Sequence, residues 1–450
     1  MTKLFDVLKV ATSDAARGRA LLRIMLAHFL LYRLRRRPPA VWHAWLKDYC
    51  DLDKPLDDRF IFVRKNTPAS AYNRPAATAH MQAEQELRLG RVGRAAAKAD
   101  PTRAPVLPID EEVKQKLEKL QPQPDPAAAR ATITDSPSRM EAGSVTETEI
   151  VEAICSTTND VGRGIFGWDI QTLRLLMGDT EEAKRNPTAV VRGLHAMSRW
   201  LFQGKTKLLS ALRTGALTAL AKGRPDEKRP RPICVSSLLL NIPLKAIARK
   251  YGGGKKSKAQ KCSPNLLPGP QQYGCASPGG VEPCIHQVRA YVKQAKAKGK
   301  TLYVTSLDGI NAFNEQDRKL TQASIDKHNP VLSTVYKVLY GTPSIVVCQG
   351  VSADGSRDVH TLRSSQGVKQ GDPLGPLWYL MGSRQRGEWL TEMLAGQDAV
   401  WLCYLDDIYI ISCTQNVVDD VISNWNNDQH VPAPPKDGSK LNTDKTSVRI

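Results

Sequence analysis

Two aspartates stand side by side in the apolar run Trp401-Leu-Cys-Tyr-Leu-Asp-Asp-Ile-Tyr-Ile-Ile-Ser412. β-prone residues flank them on both sides, which predicts a strand, a tight turn and a second strand with Asp406 and Asp407 at the tip. Adjacent carboxylates repel each other unless a cation lies between them. The pair therefore reads as a ligand set for a hard divalent ion such as Mg²⁺. The plain alternative is a surface turn that carries two acids.

A third acid has a complementary setting. Thr301 to Leu307 reads as a short apolar strand ending at Asp308, followed by Gly309 and a helix-like stretch from Asn311 to Leu320. A carboxylate at the end of a strand can reach a neighbouring hairpin tip. Three carboxylates so placed hold two metal ions about 4 Å apart, the arrangement that activates a 3′-hydroxyl and stabilises a leaving pyrophosphate. Taken alone, Asp308 would read as a helix N-cap.

Between these acids lies Ser364 to Leu380, a loop punctuated by Gly and Pro that enters an apolar helix. Gly367, Gly371 and Gly375 permit close approach of the backbone to a base pair or a phosphate, and Gln370 offers both donor and acceptor. Upstream, Lys245 to Lys261 carries Lys245, Arg249, Lys250, Lys255, Lys256, Lys258 and Lys261 with no acid, around Gly252-Gly253-Gly254. That segment predicts a mobile basic loop able to track a phosphate backbone.

The elements that must position these groups are carried by 450 residues, enough for several domains. Lys plus Arg number 64 against 45 Asp plus Glu, a formal charge of +19, while 41% of residues are apolar. Real cores are therefore expected, under a surplus of positive charge suited to a phosphate backbone. The nine cysteines form no C-x-x-C pair and no zinc-type Cys/His set, which sets aside zinc fingers and disulfide frameworks and predicts a reducing compartment. Leu21 to Leu34 is interrupted by Arg23, His28 and Arg33 and reads as a basic amphipathic helix, which argues against a signal peptide or a spanning helix; its arginines also suit an organellar presequence, against which Asp6 and Asp14 count.

Residues 1–65 read as a basic helical segment, its arginines at 33 and 35–37 running into Pro38 and Pro39. Residues 66–143 alternate short helical patterns, at 81–89 and 111–120, with Pro- and Ala-rich linker. A compact domain is expected from Ser144, where Thr and Glu spacing gives a helix start. Helices are predicted near Ile170 to Met177, Ala189 to Phe202 and Lys207 to Ala221, then a strand from Arg231 to Ser237.

In order and spacing, these segments resemble the reverse transcriptases of non-LTR retrotransposons. LDGINAFN, 307–314, is similar to their first palm motif, QGVKQGDPLGP to their template-gripping motif, and YLDD to their metal-binding hairpin. ALAKGRPDEKRPRPICVSS, 219–237, resembles their finger segment, and QQYGCASPGGVEPCIHQVRAYV, 271–292, the G-x-E-x-x-x-H segment of the site-specific lineage with a restriction-like endonuclease. GRGIFGWD, 162–169, resembles the entry to their fingers, and LNTDKTSV, 441–448, the motif that follows the hairpin.

The resemblance implies an α+β right-hand polymerase with fingers at 144–300 and a palm with an antiparallel sheet at 301–450, preceded by a mainly helical extension. It makes Asp308, Asp406 and Asp407 the ligands of two Mg²⁺ ions, with Mn²⁺ as a substitute. Lys222 and Arg231 would contact the incoming triphosphate, Phe313 would exclude a ribose 2′-hydroxyl, Gln370 and Gly371 would contact the template or nucleotide, and Lys445 would donate a proton to pyrophosphate. The implied activity is RNA-directed DNA synthesis in the nucleus, from an RNA template, a DNA primer and deoxynucleoside triphosphates. The chain ends five residues after Lys445, where the family continues into a thumb and an endonuclease, so short, distributive synthesis is expected. Two other readings share the residues: an RNA-dependent RNA polymerase, which Phe313 speaks against, and an idle retroelement remnant that only binds nucleic acid.

Overall fold

The computed structural model of the chain describes Phe5, Leu8, Tyr49, Asp51 and residues 13–34, 107–123, 143–159, 161–222, 227–252, 272–275, 281–351, 357–430, 432–442 and 446–449. They form an α+β fold of two four-stranded sheets and a helical layer.

The sheet that carries the aspartate hairpin follows from period-2 alternation. Its strands β3 (Tyr303–Leu307), β6 (Ala399–Tyr404), β7 (Asp407–Ser412) and β8 (Ser447–Arg449) are all antiparallel, in the order β6-β7-β3-β8. Leu307, Trp401, Cys403 and Ile410 face one side, against Trp389 and Leu390 of α10 (Gly375–Met393) and Val417, Val418 and Val421 of α11 (Gln415–Asn424). Leu402 and Ile411, with Val304 and Val400, face the other side, against Tyr273 and against Cys284, Val288 and Tyr291 of α7 (Val281–Ala297). A slip of one residue would exchange these two sets, so burial on both faces fixes the register and hence the hairpin tip.

The other sheet has the order β2-β1-β4-β5, from β1 (Gly215–Ala221), β2 (Pro230–Ser236), β4 (Ser344–Val351) and β5 (Arg357–Ser364). It draws its strands from both sides of residue 300, and its β1/β4 contact is parallel. Leu217, Ala219, Val346 and Cys348 bury one face against Val113 and Leu117 of α2 (Glu111–Lys119). The Asp110 side chain caps α2 by accepting from the Val113 N–H at 3.0 Å. Asn311 and Asn314 both donate to the Leu120 carbonyl, which ties α2 to the loop after Asp308.

The helix expected over Lys207 to Ala221 is replaced by a four-residue helix, Thr206–Leu209, a 3₁₀ turn and then β1. Ala and Leu favour a helix locally, yet all seven residues of β1 pair with β2, and tertiary pairing overrides that weak preference. The helix-like stretch from Asn311 to Leu320 also divides, into Ala312–Glu315 and α8 (Arg318–His328). Asp317 makes the break by capping α8, accepting from the Lys319 and Leu320 N–H groups.

The helical layer joins α1 (Asp14–Leu34), α3 (Glu147–Cys155), α4 (Ile170–Met177), α5 (Ala189–Phe202), α6 (Leu238–Tyr251) and α9 (Ser333–Tyr340) to the start of α10 in one core. Thr146 and Glu149 form the capping box expected at the start of α3. Trp168 is completely buried and its indole N–H donates to the Ile24 carbonyl at 2.9 Å, so α1 is packed into the same body. No described helix is long and apolar enough to cross a membrane. The first part of the expected basic loop is instead helix α6, where Lys245 donates to Thr157 and Arg249 and Lys250 pair with Glu152 and Glu149. Helix 81–89, Lys445 and the basic residues Lys255, Lys256, Lys258 and Lys261 lie outside the described residues.

Candidate active site

β6 and β7 pair from Ala399 with Ser412 to Tyr404 with Asp407, which leaves Leu405 and Asp406 as the turn. Leu405 has φ 58°, a left-handed conformation that costs a residue with a Cβ roughly 1–2 kcal/mol. β3 pairs with β7 as far as Leu307 with Ile408. Continuing that register by one residue sets Asp308 opposite Asp407.

The carboxyls interact electrostatically. Burial raises the Asp406 pKa above the usual carboxylate range, and the negative charge of Asp308 pushes it further. Asp407 is raised by burial, then by Asp406 and Asp308. Lys222, at the end of β1, opposes the rise at both, and Arg231 of β2 opposes it at Asp406. Three acids singled out by type and spacing and two cations implied by the resemblance therefore share one electrostatic neighbourhood, the acids from one sheet and the cations from the other.

Asp308 is held by a residue that motif reading did not assign. Asn442 donates its backbone N–H to the Asp308 carbonyl at 2.8 Å and its side-chain Nδ2 to Asp308 Oδ2 at 3.1 Å. Among the described residues, no three His, Cys, Asp or Glu side chains converge closely enough to hold a metal ion. The three aspartates are an all-oxygen set, the type a hard divalent cation takes. Their mutual repulsion is what such a cation relieves. They fit the ion in chemistry, and closing around it requires the side chains to draw together.

Phe313 stacks on Tyr379, ring centroids 4.5 Å apart and planes 20° from parallel. Its carbonyl accepts the Val368 N–H at 2.8 Å, which fastens it to the Gly-rich loop. In that loop the Gln370 carbonyl accepts the Cys234 N–H at 2.8 Å, on the same strand as Arg231. Gly371 has φ 117°, and a Cβ there would strike the Cys234 carbonyl oxygen, so only glycine fits.

Buried cations fix this loop. Arg318 donates to the carbonyls of Gly367, Ser364 and Gln366 from a fully buried position, where burial pushes its pKa down to about 10. Lys369 donates to the Arg213 carbonyl at 2.7 Å, and burial pushes it down to about 8. Neither role is marked by a motif. An Arg in the first turn of a helix or a Lys in a loop ordinarily reads as solvated, and only the packing shows otherwise.

No family model and no curated protein matches the chain. Telomerases of Candida are among the solved structures to which the chain is similar. The telomerase of Candida albicans in complex with a TWJ fragment of telomeric RNA matches at TM-score 0.36 and 14% identity, over 53% of this chain and 43% of that one. Apo telomerase of Candida tropicalis truncated from its C-terminal domain matches at TM-score 0.36 and 12% identity, over 85% of this chain and 87% of that one. The Candida tropicalis enzyme in complex with a TWJ fragment matches at TM-score 0.37 and 12% identity, over 85% and 71%. This chain thus spans less than half the length of the first. Likeness of this depth leaves the function to be argued from the residues.

Proposed function

We propose that the chain is an RNA-directed DNA polymerase of the non-LTR retrotransposon type. The observation that carries the reading is the shared neighbourhood of Asp308, Asp406 and Asp407 with Lys222 and Arg231. Acids alone would suit many hydrolases. Acids facing two cations from a separate sheet suit a reaction in which a polyphosphate lies between metal ligands and a basic wall.

Asp308, Asp406 and Asp407 would hold divalent cation, Mg²⁺ or in its place Mn²⁺. When bound, the ion supplies activation of the primer 3′-hydroxyl and charge neutralisation at the leaving pyrophosphate. Lys222 and Arg231 orient the triphosphate and offset its charge. The Gln370-Gly371 peptide offers a backbone edge that a template–nucleotide pair can approach closely. Phe313, braced by Tyr379, fills the space a 2′-hydroxyl would need. Lys445 donates a proton to the departing pyrophosphate.

Extension of a DNA primer on an RNA template with Mg²⁺, using deoxynucleotides in one arm and ribonucleotides in the other, tests the reading. Deoxynucleotide incorporation is expected. Preference for ribonucleotides would favour an RNA polymerase, and no incorporation in either arm would leave a nucleic-acid-binding protein.

A further inference from the structure

The Asp406–Asp407 turn is gripped by a side chain from outside the hairpin. Gln272 is only 4% exposed and lies in a short segment that runs parallel to β6, where the Tyr273 N–H donates to the Cys403 carbonyl at 2.8 Å. Its Oε1 accepts the Leu405 N–H at 2.9 Å and the Gly274 N–H at 2.8 Å. Its Nε2 donates to the Leu405 carbonyl at 3.3 Å and to Cys403 Sγ at 3.0 Å. One carboxamide thus takes both polar groups of the left-handed residue that precedes Asp406.

The surroundings are built for this grip. Cys403 Sγ donates to the Leu405 carbonyl at 2.8 Å, and burial first of all pushes that thiol up to about 12, so it keeps its proton. A Cβ on Gly274 would collide with the Leu405 backbone N and come within 2.7 Å of Leu405 Cγ, so glycine lets the segment approach. Gln is the side chain that meets the demand: an acceptor and a donor at one end, neutral, and long enough to span a peptide. Glu would lack the donor, and an apolar residue would strand buried N–H groups.

We propose that Gln272 is a positioning residue for the hairpin carboxylates: by fixing the Leu405 turn it sets the direction in which Asp406 and Asp407 project, and so the affinity of the site for divalent cation. The inference rests on the reading of the pair as metal ligands in nucleotidyl transfer. Residues that orient metal ligands change metal affinity without touching the metal themselves.

The test uses the full chain with Gln272→Met and, as a gentler change with the same end group one methylene shorter, Gln272→Asn. Three quantities are measured: affinity for template–primer, half-saturating Mg²⁺ for single-nucleotide incorporation, and the rise of Tm on adding Mg²⁺ without nucleotide. Gln272→Met is expected to raise half-saturating Mg²⁺ about tenfold or more and to blunt the Tm rise, with template–primer affinity within about twofold of the parent. Gln272→Asn is expected to move both metal readouts the same way by a smaller factor, and it carries the test if Gln272→Met does not fold. If the parent extends primers and folded variants show its Mg²⁺ dependence in both readouts, Gln272 only supports the fold and the proposal falls alone. If the parent shows neither extension nor a Mg²⁺-dependent Tm, the polymerase reading falls and takes this proposal with it.

Discussion

Asn442 and Asp308 are joined by two hydrogen bonds, backbone N–H to carbonyl at 2.8 Å and Nδ2 to carboxylate at 3.1 Å. The first holds the strand end in place and the second holds the carboxylate. Asn442→Ala removes only the second. A hydrogen bond to a charged acceptor contributes roughly 1.5–3 kcal/mol, so a loss of about tenfold or more in incorporation rate is expected, with little change in template–primer affinity. Single-turnover incorporation beside a binding isotherm checks this, and an unchanged rate would remove Asn442 from the site.

The carboxylates at the hairpin are kept together against their mutual repulsion, so neutralising one should stabilise the fold while ending the chemistry. Asp406→Asn is expected to melt at a higher temperature than the parent at neutral pH in the presence of a chelator. Thermal melts of the two proteins decide it. A lower Tm for Asp406→Asn would mean that the carboxylate makes stabilising contacts that outweigh the repulsion.

How far the sequence alone reaches is visible in this site. The Asp406–Asp407 hairpin was legible because β-prone runs flank the pair, the place of Asp308 because an apolar strand leads into it, and α4 and α5 because apolar residues recur at helical spacing. β1 was not legible, since Gly215 to Ala221 is rich in helix formers and becomes a strand only when β2 and β4 are beside it. Gln272 was within a quoted motif, yet a carboxamide gains meaning only from the peptide it meets, and Leu405 lies 133 positions away. Tyr379 reads as one more apolar residue of α10 until its ring is found under Phe313.

Phe313 and Tyr379 form a stacked pair with one ring braced by the other. Phe313→Ala should raise ribonucleotide use relative to deoxyribonucleotide use, and Tyr379→Leu should do so by a smaller factor, because the ring then has freedom to tilt. Competition between the two nucleotide types on one RNA template measures the ratio. An unchanged ratio for Phe313→Ala would show that sugar selection resides elsewhere.

Lys369 supplies a pH dependence with a definite sign. Its folded pKa of about 8 lies below the ordinary 10.5, so between these values the unfolded chain binds more protons and the Lys369 contribution to stability rises with pH. Relative to the parent, Lys369→Met should therefore lose advantage as pH rises from 8 to 10, by up to about 1.4 kcal/mol per pH unit. Denaturant unfolding of both proteins at several pH values checks it. Comparison against the variant is needed because buried tyrosines and thiols with raised pKa values pull the parent curve the opposite way. A constant difference across this range would show that folding does not lower the Lys369 pKa.

Lys222 and Arg231 interact electrostatically with the hairpin acids from the other sheet, and their proposed role is to hold the triphosphate. Arg231→Ala is expected to raise the nucleotide KM about tenfold or more while template–primer affinity holds. Equal losses in both would place Arg231 on the nucleic-acid backbone instead.

The most direct measurement is addition of a single deoxynucleotide to a DNA primer on an RNA template in Mg²⁺, by the parent and by Asp406→Asn, with template–primer binding followed in parallel. Incorporation by the parent is expected, with none detectable by Asp406→Asn and binding equal within about twofold. Incorporation by Asp406→Asn at the parent's rate, or a parent that binds and never extends, would contradict this expectation.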